Sequence, residues 1–454
     1  MFTPKKNNLM KNLLITVTLI TSFLSLSTNL FAQNTLVPDN NFEQALIDLG
    51  YDSGSLDGSV LTANIDIIDS LNIDNKMISN LTGIQDFTAL TTLTCDTNLL
   101  TGIDLSQNTA LIYLNVDNNQ LPNFNLTQNT LLKELKCSNN QLTNLDLTQN
   151  TALTYLNITN NQLTNLGLTQ NTALTHLYCS YTQLTSLDVT QNTALIGLYS
   201  SANQLTSLDV TQNTALTSLY CNYNLITNLD ITQNPSLNVV NCRNNQLTSL
   251  DVTQNTIITY LFCTDNQLTS LDLTQNSALN ALYCNNNDIT SLILTQNPAL
   301  IYLTCDDNQL TCLNVKNGNN TILADFYATN NTSLTCIEVD AVTWSASNWT
   351  NIDAQTSFST NCNNFCSMIT GISENTLLNL SIYPNPTNGV IHIDLGETQK
   401  KVTFSLINNL GQIILSETHH TTNYIQLNTS APKGVYFLKI EKEKEFIFKK
   451  IIIE

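Results

Sequence analysis

Apolar and polar positions alternate with one long period through the middle of the chain. The tripeptide Thr/Ser-Gln-Asn occurs ten times with its Gln spaced by 21 residues, and no insertion or deletion interrupts the series. One unit, residues 153–173, reads LTYLNITNNQLTNLGLTQNTA. Within each unit the apolar positions follow L-x-x-L-x-(L/I/C)-x-x-N-x-L. A unit this small cannot bury its own leucines, so neighbouring units must stack, and the period predicts a solenoid.

The elements of each unit follow from the same pattern. The L-x-(L/I/C) segment predicts one short strand per unit, and stacking makes these strands a parallel sheet with a spacing of about 4.8 Å. The rest of the unit is too short for a full helix, which predicts extended or 3₁₀ structure on the opposite side. Residues 39–50 place Phe42, Leu46 and Leu49 at helical spacing before Gly50, which predicts a helical cap for the first unit.

The apolar pattern resembles the leucine-rich repeat. The matching positions in one unit are Leu153, Leu156, Ile158, Asn161 and Leu163. The resemblance covers roughly residues 67–315, and the longer first unit, from Leu71 to Leu93, is similar to the units of internalin-type proteins. It implies a leucine-rich-repeat solenoid, with a parallel sheet on one face.

Asn occupies the turn after the strand in nearly every unit, and Thr182 is the exception. The members are Asn98, Asn119, Asn140, Asn161, Asn203, Asn224, Asn245, Asn266, Asn287 and Asn308. An Asn side chain bonds nearby backbone groups and tolerates left-handed backbone geometry. We therefore expect each of these ladder Asn residues to satisfy buried backbone groups in its own unit and the next. The Asn of Thr-Gln-Asn is expected to cap the other turn.

Most of the twelve cysteines share one position of the unit. These are Cys95, Cys137, Cys179, Cys221, Cys242, Cys263, Cys284 and Cys305, and Val116, Ile158 and Ser200 fill the same position elsewhere. This predicts an inward packing position, where a free Cys behaves as a small hydrophobe. The alternative is a metal-binding or disulfide-linked row from Cys221 to Cys305. Pairing is expected among the off-register cysteines, with open connectivity: Cys312, Cys336, Cys362 and Cys366.

The charge of the chain argues against one class of function. The chain has 454 residues, only 11% of them charged, and a net charge of −19. Residues 33–366 hold five basic and 27 acidic residues, which argues against nucleic-acid binding. One acidic column comprises Asp104, Asp146, Asp188, Asp209, Asp230, Asp251 and Asp272. We expect these carboxylates to cap the Thr-Gln-Asn turns. Calcium is the alternative, but the loop motifs typical of calcium sites are absent, and no metal site is predicted.

The candidate binding residues lie on the outward face of the predicted sheet. Because positions 156 and 158 point inward, positions 155 and 157 and their equivalents face solvent. The candidates on these two columns are Tyr113, Tyr155, His176, Tyr178, Tyr199, Tyr220, Tyr260, Phe262, Tyr283 and Tyr302. Aromatic side chains on a rigid sheet offer contact area at a low entropic cost. They predict binding of a protein or a glycan; the alternative is that the rings shield the sheet.

The two ends of the chain differ from its middle. Lys5, Lys6 and Lys11 precede an apolar stretch that leads to Ala32, which is typical of a cleaved signal peptide; a membrane anchor is the alternative. Residues 379–454 alternate Val, Ile and Phe with polar residues, which predicts a small antiparallel, immunoglobulin-like sandwich.

This last segment is similar to the type A C-terminal sorting domain of the type IX secretion system. The matching residues are Tyr383-Pro384-Asn385-Pro386, Asn388-Gly389, Asn409, Gly411, Gly434-Val435-Tyr436 and Lys449-Lys450. The resemblance implies passage through the inner membrane, translocation across the outer membrane by the type IX machinery, and release or attachment at the cell surface.

These observations combine into one prediction of organisation and role. The predicted segments are a signal peptide (1–32), N-terminal cap (33–66), solenoid (67–315), C-terminal cap (316–366), linker (367–378) and sorting domain (379–454). We expect a secreted or surface-displayed monomer that binds an extracellular protein or glycan and mediates adhesion. The alternatives are a structural or surface-contacting scaffold and an accessory glycan-capture protein. HExxH, GxSxG and P-loop motifs are absent, so neither an enzyme nor a cofactor is predicted.

Overall fold

The computed structural model describes residues 33–362, 380–408, 413–442 and 445–454. The chain divides into two compact units, Met1–Cys366 and Ser367–Glu454, and each is described by itself. The predicted signal peptide and linker lie outside the described residues. Within the described residues, no helix is both long and apolar enough to cross a membrane.

The first unit is a solenoid of short strands. Its strands are β1 (Asn34–Leu36), β2 (Ser59–Leu61), β3 (Ser70–Asn72), β4 (Thr92–Thr94), β5 (Tyr113–Asn115), β6 (Glu134–Lys136), β7 (Tyr155–Asn157), β8 (His176–Tyr178), β9 (Gly197–Tyr199), β10 (Ser218–Tyr220), β11 (Val239–Asn241), β12 (Tyr260–Phe262), β13 (Ala281–Tyr283), β14 (Ser291–Ile293), β15 (Tyr302–Thr304), β16 (Cys312–Asn314), β17 (Asp325–Ala328), β18 (Cys336–Glu338), β19 (Asn351–Ile352) and β20 (Ser357–Ser359). The strands β3 to β13 with β15, β17 and β19 form one 14-stranded sheet.

The register of this sheet repeats from coil to coil. Leu219 of β10 pairs in parallel with Leu198 on one side and Val240 on the other, so equivalent positions of consecutive units lie side by side. These inward side chains are fully buried. The predicted solenoid with a continuous apolar core is therefore confirmed.

The opposite side of the coils is mostly turns. It contains two 3₁₀ turns, Ile84–Asp86 and Asn320–Ile322, and near the C-terminal end a four-stranded parallel sheet made of β14, β16, β18 and β20. After β15 the coils lengthen, because Tyr302 pairs with Asp325 and Tyr327 with Asn351. The main sheet thus continues into the segment that we propose as the C-terminal cap.

The last coils of the solenoid are held by aromatic packing and disulfides. The helix Val342–Asn348 precedes Trp349, whose ring stacks on Phe326 with 4.4 Å between centroids. The Trp349 Nε1–H donates to the carbonyl of Leu323 at 3.0 Å. Cys336 and Cys362 form a disulfide, and Cys312 is also disulfide-bonded. Cys366 lies outside the described residues.

The N-terminal cap contains the helices α1 (Asn40–Asp48) and α2 (Thr62–Ile65). Asp39 caps α1 by accepting from the N–H groups of Asn41 and Phe42, and its other oxygen accepts from Ser79 in the first coil. Phe42 and Leu46 are fully buried, which confirms the predicted helical cap. The expectation for Leu49 is wrong, since it follows the last helical residue and is 42% exposed.

The ladder Asn residues behave largely as expected. Asn119 accepts the N–H of Leu100 and donates to the carbonyls of Cys95, Val116 and Asp117. These partners lie in its own coil, as expected, and in the preceding one, whereas the next coil was expected. The left-handed backbone, however, belongs to the residue before the ladder Asn, such as Asn118. The ladder Asn therefore stabilises the turn by hydrogen bonding, while its neighbour supplies the turn geometry.

The second unit is an antiparallel all-β domain, as predicted. Its strands are β21 (Ser381–Tyr383), β22 (Val390–Asn408), β23 (Ile413–Asn428), β24 (Gly434–Lys442) and β25 (Glu445–Ile453). The long strand β22 pairs with β21, β23 and β24, and β25 pairs with β24. Alternate residues of β22 enter the core on each side of a register shift between Asp394 and Gln399, with Ile391 and Ile393 before the shift and Phe404 after it. The period-two pattern read from the sequence thus places one face of the strand inside.

Candidate binding face of the solenoid sheet

The ten candidate residues lie on the outward columns of the main sheet, in two groups separated by β11. The first group runs from Tyr113 on β5 to Tyr220 on β10 and also contains Tyr155, His176, Tyr178 and Tyr199. The second contains Tyr260, Phe262, Tyr283 and Tyr302. Between them β11 carries Val239 and Asn241. Most of these rings are half-buried, and Tyr260 is the most open, with 40% of its surface exposed.

Rings on adjacent strands stack on one another along the solenoid in both groups. Tyr178 and Tyr199 lie 4.3 Å apart between centroids with planes 3° apart, and Tyr199 and Tyr220 lie 5.1 Å apart. Phe262 and Tyr283 stack similarly at 4.9 Å. These separations match the strand spacing of about 4.8 Å, so the register of the sheet itself produces the stack. The ring faces lie mainly against neighbouring rings, which leaves edges and hydroxyls toward solvent.

Gly197 makes room for this arrangement. A Cβ atom at Gly197 would lie 3.0 Å from the Tyr199 ring and 3.1 Å from the His176 ring. Because Gly197 has no side chain, both rings can lie against the sheet at this position. Sequence reasoning did not single out Gly197, although a Gly in an outward strand position beside aromatic residues is a usable signal.

Lys136 is a second functional candidate that sequence reasoning missed. Its Nζ lies 5.2 Å from the centroid of the Tyr113 ring and 5.6 Å from that of Tyr155, within cation–π range. A hydrogen bond with Tyr113 raises the pKa of the Lys136 ammonium. Lys136 therefore places a positive charge at one end of the first aromatic group at neutral pH.

The hydroxyls of Tyr178, Tyr220 and Tyr283 stay protonated at neutral pH. Burial, and then the neighbouring Tyr199 and Tyr155, raise the pKa of Tyr178 to about 12. Burial also raises the pKa values of Tyr220 and Tyr283. The face thus offers neutral hydroxyl groups that can donate and accept hydrogen bonds, beside the Lys136 ammonium.

The acidic column caps turns, as expected. Asp146 accepts from the N–H of Thr148 at 2.9 Å and from its hydroxyl at 2.7 Å. The same pair of bonds recurs at Asp188, Asp209, Asp230, Asp251 and Asp272. Among the residues that the structure describes, no group of three or more His, Cys, Asp and Glu side chains is placed to hold a metal ion.

We expect these caps to make the stability of the solenoid depend on pH. Hydrogen bonds from the following Ser or Thr hold the pKa values of four carboxyls below their usual range: Asp104, Asp146, Asp188 and Asp230. A depressed pKa stabilises the folded state above the unfolded pKa of about 3.9, and the stabilisation is lost as pH falls through the folded value. The Tm should therefore decrease between pH 5 and pH 3, as circular dichroism would show.

A matched variant isolates the caps from other carboxyls. Replacing Thr148, Thr190 and Thr232 with Val removes the hydroxyl donors and leaves the N–H donors in place. The dependence of Tm on pH should then be shallower than in the parent chain. An unchanged slope would show that other groups control the acid response.

The cysteine position is a packing position, as predicted. All eight repeat cysteines are free and buried. Burial raises the pKa of Cys179 and Cys242 to about 12 and also raises the pKa of each of the other six thiols, so the thiols stay protonated. A disulfide-linked row from Cys221 to Cys305 is therefore wrong.

Comparison with known proteins gives results for both units. Residues 381–454 match the family described as the secretion system C-terminal sorting domain. The functional domain of InlJ from Listeria monocytogenes, which includes a cysteine ladder, is 28% identical with a TM-score of 0.61, covering 93% of this chain and 99% of that one. An internalin, InlF, from Listeria monocytogenes is 21% identical with a TM-score of 0.54, covering 69% and 99%. No curated protein matches the chain in sequence.

The fold and the comparisons define the class. The chain is a leucine-rich-repeat protein whose solenoid is internalin-like in fold. It carries a type IX sorting domain and is a secreted or cell-surface protein.

Proposed function

We propose that the protein binds an extracellular protein or glycan through the outward face of its main sheet and mediates adhesion. The observation that carries the proposal is the pair of aromatic groups on adjacent strands. Their backbone is fixed by a repeated register, so the rings are already ordered before a partner arrives. Preordered aromatic anchors lose little entropy on binding, which favours affinity.

The internalin-like fold supports a protein as the partner. The edges of the stacked rings carry partial positive charge and, with the hydroxyls, suit carbonyl and carboxylate acceptors on a partner surface. Lys136 adds a positive charge at one end of the first group. We propose that the protein acts as a monomer and as a binding protein rather than an enzyme.

The stacking also favours a second candidate function, a scaffold that binds nothing. Rings that cover Gly197 and each other could serve to shield the sheet. An accessory role in glycan capture is a variant of the binding proposal. Replacing tyrosines of the face distinguishes a binding role of the rings from a shielding role.

Replacing Tyr178, Tyr199, Tyr220 and Tyr283 together with Ala should reduce ligand capture at least tenfold. The measurement is quantitative mass spectrometry of what immobilised protein retains from host or environmental extracts, with circular dichroism to confirm folding. The matched control replaces four exposed glutamines of the Thr-Gln-Asn turns with Ala: Gln149, Gln191, Gln212 and Gln254. If both variants capture the same material as the parent chain, the scaffold function is correct.

A further inference from the structure

Three consecutive coils break a backbone rule that the others follow. The residue before the ladder position is left-handed in eleven coils spaced by 21 residues. It is Asn, Asp or Thr except at Tyr181, Ala202 and Tyr223. Left-handed backbone is costly for a bulky side chain and easiest for Asn and Asp. A strained residue of this kind is a reason to look for function.

The Asn ladder is interrupted at the same place. The Thr182 hydroxyl oxygen lies 2.7 Å from the carbonyl oxygen of Cys179 and 2.9 Å from the Oδ1 of Asn203, so its one proton is shared between these two acceptors. Gln183 then adopts a second left-handed conformation, with φ 70°. In adjacent coils the equivalent N–H groups of Gln162 and Gln204 donate to backbone carbonyls of the preceding coil. The coil edge is therefore remodelled around Thr182.

The remodelled edge surrounds a cavity of about 500 Å³. Its lining includes Asn160, Gln162, Tyr181, Gln183, Ala202 and Gln204. Tyr181 is 61% exposed, so much of its side chain is accessible to a ligand. This differs from the stacked rings of the sheet face, whose faces lie against one another.

The side chains that line this cavity favour one class of ligand. Side-chain amides both donate and accept hydrogen bonds, which suits hydroxyl groups. An open phenol ring offers an apolar surface next to a polar tip. The lining residues carry no charged side chain, so an ionic ligand would gain no ion pair. The volume lies within the range of ordinary small-molecule sites.

We propose that this cavity, the Tyr181 notch, binds one or two units of a neutral carbohydrate. The ring of Tyr181 packs on the apolar face of a sugar, and the amides of Gln183 and Gln204 bond to its hydroxyls. The site is separate from the sheet face proposed above. A peptide is the weaker occupant, because the lining offers neither an apolar pocket nor an open strand edge for main-chain pairing.

The test uses the mature full chain and a panel of neutral oligosaccharides of glucose, galactose, mannose and N-acetylglucosamine, measured by titration calorimetry. The parent chain should bind at least one member, and replacing Gln183 and Gln204 with Ala should weaken that binding at least tenfold. Replacing Gln246 and Gln267, at the same register in other coils, should leave it unchanged. Absence of binding to the whole panel would overturn the proposal.

A second variant separates binding from folding. The double change Tyr181→Asn with Thr182→Asn introduces the Asn-Asn pair of the preceding coil, Asn160 and Asn161. It should give a Tm at or above that of the parent chain and abolish carbohydrate binding. Retained binding would overturn the proposal. The four-Tyr variant of the sheet face should keep carbohydrate binding, so the two proposals fail independently.

Discussion

Replacing Asn140 with Ala is expected to destabilise the solenoid by about 3–5 kcal/mol, because several buried backbone groups lose their partners. Asn140 accepts the N–H of Leu121 at 3.0 Å and donates to the carbonyls of Val116, Cys137 and Ser138. Leaving each buried group unpaired costs about 1–3 kcal/mol. Water cannot easily replace the amide, since Asn140 is only 8% exposed. Denaturant unfolding would measure the loss.

The neighbouring residue provides the control. Gln141 is exposed and bonds to the preceding coil through its backbone, which Gln141→Ala keeps. This variant should stay within about 0.5 kcal/mol of the parent chain. Since coils contact only their neighbours, hydrogen exchange in the Asn140 variant should increase first in the adjoining coils. A loss below about 1 kcal/mol would contradict the role of the ladder, because it falls short of even one unpaired group.

Deleting residues 379–454 should abolish delivery to the cell surface. Residues 381–454 match the secretion system C-terminal sorting domain, so we expect the truncated chain to accumulate in the periplasm. Surface proteolysis and fractionation of the native host would measure the distribution. Normal surface appearance of the truncated chain would refute this dependence.

Two glycines of the sorting domain allow a finer version of this experiment. Gly389 has φ 106°, and a Cβ there would lie 2.5 Å from the carbonyl oxygen of Thr429. At Gly434 the nearest atom to an added Cβ is 3.6 Å away, an ordinary contact. Gly389→Ala should therefore unfold the domain and reduce surface delivery, while Gly434→Ala should be tolerated. Equal delivery of both variants would show that the turn at Gly389 is dispensable.

The regular part of the fold was predictable because one period repeats many times. Each Leu of the unit meets its counterpart in the next coil, so the pattern of one unit defines the packing of all. The eight cysteines were interpretable for the same reason, since Val116 and Ile158 share their position. The candidate face followed from strand alternation, which places Tyr155 and Asn157 on the same side.

The details that depend on neighbouring coils were not predictable. Stacking of Tyr178 on Tyr199 requires the ring orientations, and the position of Lys136 between two tyrosines depends on its rotamer. Glu43 is fully buried and accepts from the N–H groups of Asp57 and Gly58, which no periodic pattern indicates. Such contacts join residues that are far apart in the sequence or belong to different periods.

The uniform register has a consequence for how such a protein can change over generations. Adding or removing one of the regular 21-residue units through unequal recombination creates no new kind of strand pairing, because these coils pair with their neighbours in the same register. Each added coil lengthens the outward face by about 4.8 Å. The outward positions can meanwhile vary without changing the buried core, because their side chains lie on the other side of the sheet. The length of the recognition surface and its chemistry can therefore be selected separately.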